Sequence, residues 1–179
     1  MPVPPVGHLE RPRVTALLGS DRTPLVAVIA PAGFGKTTAV ADWLAAGHRP
    51  AVWVAIEAHD DQLVAFFARL ADALEPSCGR GRLSGLVSTS SGLASTEMLL
   101  AGAAAEDLGA AVDGTVVVLD DLHVISSGAI HQALAYLIDH LPPTVSLVLI
   151  SRADPPVALA RLRAAGRLTE LRAADLAFD

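Results

Sequence analysis

Nine consecutive residues, Ala30-Pro31-Ala32-Gly33-Phe34-Gly35-Lys36-Thr37-Thr38, have the types and spacing of a phosphate-binding loop. Each residue has a chemical task there. From Ala32 to Gly35 the backbone must turn its N–H groups toward an anion, and Gly33 and Gly35, without a Cβ, permit the positive φ this requires. A helix opening near Lys36 aims its partial positive end at the same anion. Lys36 then reaches the β- and γ-phosphates, while the Thr37 hydroxyl is placed for Mg²⁺ and Thr38 closes the loop. The strict pattern begins with glycine, and Ala30 holds that place here. The chain has twelve arginines and one lysine, and that lysine is Lys36, where a compact point charge serves better than a planar fork. A chance glycine-rich turn is the competing reading, and the flanking sequence opposes it. An apolar run, Leu25–Ile29, comes before the loop and an amphipathic one, 39–46, comes after it.

The rest of the chain repeats that strand-then-helix rhythm. Apolar runs at 25–29, 51–56, 115–119 and 145–150 are too short for helices and predict strands, and 167–172 is the last strand candidate. Helical patterns are predicted at 14–18, from the loop to 46, from Asp60 and Asp61 to Pro76, at 96–112 with Ser95 or Thr96 as N-cap, at 128–141 and at 157–165. The acids Asp60 and Asp61 suit a helix N-terminus, and Leu63, Phe66, Phe67, Leu70 and Leu74 form one stripe beyond them. Residues 77–95, rich in Gly, Ser and Arg, predict a surface loop with one buried turn around 83–87. Alternating elements with wholly apolar strands imply an α/β three-layer sandwich with about five parallel strands. The expected division is a proline-rich arm and short helix over 1–23, then a P-loop nucleotide-binding domain over 24–179.

In an open sheet of this kind, ligands bind beyond the carboxyl ends of the strands. The first polar residues after each run are therefore the candidates: Lys36 and Thr37, Glu57, Asp120 and Asp121, Ser151 and Arg152. Asp120 fits a Walker B aspartate that holds Mg²⁺, and Asp121 could orient or deprotonate an attacking water. Arg152 is placed to sense a γ-phosphate by a charge-assisted contact. The plainer readings are paired acids that merely end a strand and a loop arginine in solvent. Glu57 stays open between a site role and an exposed strand-end acid. His123 reads as a loop or capping residue, and the six histidines show no metal-binding spacing.

Composition excludes several classes. The chain is 52% apolar with mean hydropathy +0.47, yet no apolar run approaches the ~20 residues of a membrane span. Its first residues lack the pattern of a signal peptide, and the single Cys78 excludes an intrachain disulfide, so the cytoplasm is the expected compartment. A net charge of −6, no basic run and 4% aromatics oppose direct binding of nucleic acid through phosphates or stacked bases.

The loop motif followed by Ala-Asp-Trp-Leu at 41–44, Val-Leu-Asp-Asp-Leu-His at 118–123, Leu-Ile-Ser-Arg-Ala-Asp-Pro-Pro at 149–156, and the ending Leu-Arg-Ala-Ala-Asp-Leu-Ala-Phe at 171–178 resemble the MalT-type, LuxR-family regulators. These are STAND-class P-loop ATPases of the ASCE type, and Ala30 is usual among them. The resemblance implies an ATP/ADP switch that rests with ADP, exchanges it for ATP when an inducer binds elsewhere, self-associates in the ATP state and hydrolyses ATP slowly with Mg²⁺. It also implies an adenine contact at Arg11, because Leu9-Glu10-Arg11 occupies the place of a V-x-R segment. The family continues into helical, winged-helix, repeat-sensor and helix-turn-helix modules that this chain lacks, so transcriptional regulation is expected of a longer parent. Two alternatives stay open: a small-molecule kinase, with Arg80 and Arg82 in a lid, and a non-hydrolysing nucleotide-binding interaction module.

Overall fold

The computed structural model describes residues 12–19, 23–89 and 97–177. Five parallel strands form one sheet, β1 (Leu25–Ile29), β2 (Ala51–Ala55), β3 (Val116–Asp120), β4 (Ser146–Ser151) and β5 (Leu168–Arg172), in the order β2-β3-β4-β1-β5. The helices described are α1 (Pro12–Leu18), α2 (Lys36–Ala46), α3 (Leu63–Cys78), α4 (Arg82–Thr89), α5 (Glu97–Gly109), α6 (Gly128–Asp139) and α7 (Leu159–Ala164). This is the expected α/β sandwich. None of the described helices is long and apolar enough to cross a membrane.

Strand alternation divides the interior into two cores. Leu25, Ala27 and Ile29 face a larger cluster built with α3, α5, α6 and α7, whereas Val26 and Val28 face a smaller one built with α1 and α2. The central strands β1, β3 and β4 are buried on both sides, which is why they read as nearly continuous apolar runs, whereas the edge strand β5 carries Thr169, Glu170 and Arg172. Val14 and Leu18 of α1 are buried in the smaller core, and the Trp43 indole donates to the Gly19 carbonyl at 3.0 Å. The short N-terminal helix is thus packed onto the sheet.

Three local expectations change. Residues 82–89 form a helix, α4, where a loop with one buried turn is predicted. Its N-terminus is capped from a distance: Asp107 of α5 accepts the N–H groups of Arg82 and Leu83 at 2.8 and 2.9 Å, and Leu83 is fully buried below. Gly81 is required there, because a Cβ would lie 2.2 Å from the Asp107 carboxylate. Helix α3 runs through Pro76 to Cys78 before Gly79, at φ +74°, closes it. The N–H that Pro76 lacks would have met the carbonyl of Asp72, a solvent-exposed residue, so the last turn tolerates the ring.

The third change concerns the paired acids before α3. Asp60 is buried in a 3₁₀ turn, accepts the Glu57 N–H at 2.7 Å and pairs with Arg69 Nε at 2.6 Å. Asp61 serves α6 and not α3: it accepts the N–H groups of Ser126 and Ser127 at 2.9 and 2.8 Å, and the Ser126 hydroxyl as well. The expected N-cap at Ser95 or Thr96 lies outside the described residues.

Candidate functional site

The loop between β1 and α2 has the backbone its glycines predict. Gly33 and Gly35 sit at φ +84° and +68°, and Gly35 is the N-cap of α2. Among the described non-glycine residues only His48 and Asp121 have positive φ, so Ala30 has an ordinary conformation. That explains why alanine suffices where the strict pattern has glycine: the position needs no left-handed backbone, and its methyl is buried in the smaller core. Phe34 packs against the same core from the loop, while Ala32 stays exposed. Lys36 is 8% exposed and donates from Nζ to the carbonyl oxygens of Ala30 and Pro31 at 2.7 and 2.9 Å. Burial lowers its pKa, the Arg152 guanidinium lowers it further, and Asp121 and Asp120 act in the opposite direction.

Strand order brings the second set of residues to the loop. β3 lies two strands from β1, with β4 between them. On leaving the loop, α2 crosses toward that side on its way to β2, and it carries Thr37 with it. The Thr37 hydroxyl donates to Asp120, 3.3 and 3.1 Å from its two oxygens. Asp120 also accepts the Asp121 N–H at 3.0 Å. Burial raises the Asp120 pKa above the usual carboxylate range, and the charge of Asp121 adds to this. The donors of Thr37 and Asp121 work against it.

Asp121 is turned out of the strand by a left-handed backbone, φ 60° and ψ 34°, and its side chain is half exposed. Such a conformation costs a non-glycine residue ~1 kcal/mol or more, and aspartate is among the residues that tolerate it. His123, in the 3₁₀ turn that follows, lies 3.7 Å from Asp121 through Nδ1, a buried atom that makes no hydrogen bond. Burial, then Arg152, hold its pKa below the usual histidine range. Arg152 follows β4, whose Ser151 pairs with Ile29 and accepts the Ala30 N–H at 3.3 Å. The buried Ser151 hydroxyl donates to the Ala153 carbonyl at 2.6 Å and so shapes the turn that leaves Arg152 in solvent beside the loop.

The structure therefore brings Lys36, Thr37, Asp120, Asp121 and Arg152 to one end of the sheet, with Thr38 on the first turn of α2. Glu57 also leaves its strand at that end, but its carboxylate faces His59 at 3.6 Å and Arg69 at 3.7 Å. Arg11 lies outside the described residues. One neighbour was not singled out for chemistry in the sequence, where His123 reads as a loop residue. A cleft of about 550 Å³ opens at the free edge of β2, lined by residues that include Ala68, Arg69 and Asp72 of α3, and it contains none of the loop residues.

Among the described residues no group of three or more His, Cys, Asp or Glu side chains could enclose a metal ion. What exists is a hydroxyl oxygen beside one buried carboxylate. Thr37 gives its proton to Asp120 and keeps lone pairs free, so the two side chains offer hard oxygen ligands and leave positions for phosphate and water. That suits Mg²⁺, which keeps several waters and is bound with substrate phosphates.

No protein-family model matches the chain. Among solved structures it superposes on the Orc1 protein of Aeropyrum pernix, determined in complex with DNA, at TM-score 0.55 and 16% identity, over 90% of this chain and 42% of that one. A Walker-type ATPase of Pyrococcus abyssi gives TM-score 0.53 and 16% identity, over 91% of this chain and 53% of that one. With the loop geometry above, this likeness gives the chain the fold of the P-loop NTPases. In sequence it is 36% identical over 170 residues to the HTH-type transcriptional regulator MalT of Serratia proteamaculans, which covers 94% of this chain and 19% of the relative. The MalT of Yersinia enterocolitica is 34% identical over 157 residues, 87% of this chain and 17% of that protein. The chain is thus a homologue of the MalT-type regulators and spans less than a fifth of the length of these curated relatives.

Proposed function

We propose that this chain is the adenine-nucleotide switch domain of a MalT-type regulator, binding ATP or ADP with Mg²⁺ and hydrolysing ATP slowly. The observation that carries the reading is the Thr37–Asp120 contact, which joins the phosphate loop to the acid pair across an intervening strand. Placement supports the roles of the residues around the loop, and that of Arg11 rests on the family resemblance alone. Backbone N–H groups of Ala32–Gly35 and the ammonium of Lys36 bind the phosphates. Lys36 exchanges the two carbonyls it now contacts for phosphate oxygens, a stronger charge-assisted pairing. Thr37 and Asp120 would hold Mg²⁺, which supplies charge neutralisation at the phosphates. Asp121, exposed and turned toward His123, orients the attacking water. Arg152 reports whether a γ-phosphate is present, and Arg11 contacts the adenine.

The energetics suit a switch. Moving a two-state equilibrium from 1:99 to 99:1 takes about 5.5 kcal/mol of differential affinity. Two or three charge-assisted hydrogen bonds to the γ-phosphate, at roughly 1.5–3 kcal/mol each, supply that. In the longer parent the ATP state self-associates, and this acidic segment makes no direct contact with nucleic acid. The arginines that would serve a kinase lid are engaged elsewhere: Arg80 pairs with Glu75 at 3.2 Å and Arg82 with Glu106 at 2.8 Å. That favours the switch over the small-molecule kinase.

The test is equilibrium binding of ATP and ADP to the chain and to Arg152→Ala. The expected result is ADP affinity within about twofold of wild type and loss of roughly tenfold in ATP affinity, the worth of one charge-assisted bond. Equal loss of both nucleotides would remove the sensing role. Wild-type protein that binds neither would refute the nucleotide reading.

A further inference from the structure

In a parallel ladder each strand bonds a given neighbour through the backbone of alternate residues. The Val116 N–H donates to the Pro50 carbonyl and the Ile56 N–H to the Asp120 carbonyl, both at 2.9 Å. Between them Val52 and Val54 are in register with Val117 and Leu119, so the even-numbered residues bond β3. The N–H and C=O groups of Ala51, Trp53 and Ala55 therefore point away from the sheet. β2 is an outer strand, and among the described residues no strand pairs with that side.

The two edges of the sheet are finished differently. At β5, Glu170 pairs with Arg163 at 2.5 Å and with Arg172, which also reaches Asp154 at 2.6 Å. The Arg172 N–H is accepted by the Asp175 carboxylate at 2.8 Å, and its carbonyl accepts the Asp175 N–H at 2.9 Å. Charges and a covering turn keep a foreign strand off such an edge. β2, Ala-Val-Trp-Val-Ala, has no charge along its length.

Beside this uncharged edge lies the cleft of about 550 Å³, lined by Trp53, Val54 and Ala55 of β2 and by Ala65, Ala68, Arg69, Asp72 and Ala73 of α3. A strand added to β2 at the ~4.8 Å spacing of a sheet would run along it. The alanines leave room for its side chains. With α3 as a wall, the cleft suits a lone extended segment and not the edge of a second three-layer domain, whose own helices would meet α3. Charge narrows the choice further. Glu57, Asp60 and Asp72 set three carboxylates against the Arg69 guanidinium, and Arg69 is already paired with Asp60 at 2.6 Å. The exposed Asp72 carboxylate makes no hydrogen bond to another described residue. A second copy of this chain would bring the same acids to the same place.

We propose that the outer edge of β2 is a docking site for an extended basic segment of another polypeptide. The segment adds as a strand through the backbone of Ala51, Trp53 and Ala55 and sets a lysine or arginine beside Asp72. This is independent of the nucleotide reading, because the cleft contains no residue of the phosphate loop.

The probe is an acetylated peptide of about nine residues alternating valine and arginine, which puts its charges on one face when extended. It is added without nucleotide to the ¹⁵N-labelled 179-residue chain, and amide hydrogen exchange is followed by NMR. In the chain alone Val52 and Val54 should be protected, while Ala51, Trp53 and Ala55 exchange fast. Saturating peptide is expected to slow the latter three about tenfold or more and to leave Val52 and Val54 unchanged. Asp72→Asn should weaken binding about twofold to fivefold, the worth of one exposed ion pair. Exchange at the three amides that stays fast with about 1 mM peptide overturns the proposal. So does equal slowing by a peptide of the same charge with proline at every third residue, which cannot pair along either edge. Protection that appears without peptide and grows with protein concentration would put a second copy on the edge, and that also overturns it.

Discussion

Asp61 ties together two loops at the functional end of the sheet, and its removal should be felt in both stability and pH dependence. Its carboxylate accepts the Ser126 and Ser127 N–H groups at 2.9 and 2.8 Å, together with the Ser126 hydroxyl, and so holds the turn that leads into α6 from up to 66 positions away. Hydrogen bonds to a charged acceptor contribute roughly 1.5–3 kcal/mol before solvent screening, and an anion near a helix N-terminus adds roughly 0.3–1 kcal/mol. The carboxylate is partly exposed, so Asp61→Ala should cost about 1–2 kcal/mol. For a domain of this size each kcal/mol lowers Tm by roughly 2–4 °C, giving a drop of about 2–8 °C at pH 7. The same contacts hold the Asp61 pKa below the usual carboxylate range, with the Ser126 hydroxyl the first cause. A depressed folded-state pKa contributes stability above the unfolded value, and that contribution disappears as pH falls through the folded value. The Tm difference between wild type and Asp61→Ala should therefore be full above about pH 5 and shrink on acidification below the ordinary carboxylate value near 3.8. Calorimetry from pH 7 to pH 3 would decide it. A Tm difference that is absent at pH 7, or that persists undiminished at pH 3, would refute the reasoning from these contacts.

Two other substitutions probe the loop and its acid. Ala30→Gly restores the strict motif but should not improve ADP affinity, because Ala30 already has a negative φ; the lost buried methyl and the freer unfolded chain should cost about 1–2 kcal/mol in urea denaturation. A gain in affinity would contradict this. Asp120→Asn should raise the Tm of the nucleotide-free chain at neutral pH while removing the Mg²⁺ dependence of nucleotide binding. Burial raises the Asp120 pKa, so the ionised side chain opposes folding once pH exceeds the unfolded value, and the stabilisation by asparagine should fade as pH falls below it. A lower Tm at pH 7 would show that the charge is needed for the fold.

Much of the site is legible in the chain because its parts are local. The phosphate loop is one short segment whose glycines, lysine and threonine act through their own backbone or over one helical turn. The remaining acids and Arg152 are found by one rule, that polar residues directly after apolar runs collect at the carboxyl ends of parallel strands. The differences arise where a side chain acts on a distant segment. Residues 82–89 are helical because Asp107 caps them and Leu83 fills the core, and neither partner is near in sequence. Asp61 sits where a cap for α3 is expected, yet it serves α6.

The sequence by itself determined the periodicity of the strands, the phosphate loop and the residues at the strand ends, since each depends on neighbours along the chain. Strand order was decided only by tertiary structure. Five parallel strands joined by helices can be arranged in several orders, and packing selects the one that places β4 between β1 and β3. That order lets α2 carry Thr37 to Asp120 and sets Arg152 beside the loop. These are contacts across the sheet, made by side chains whose direction depends on register and whose partners are unknown until the strands are paired.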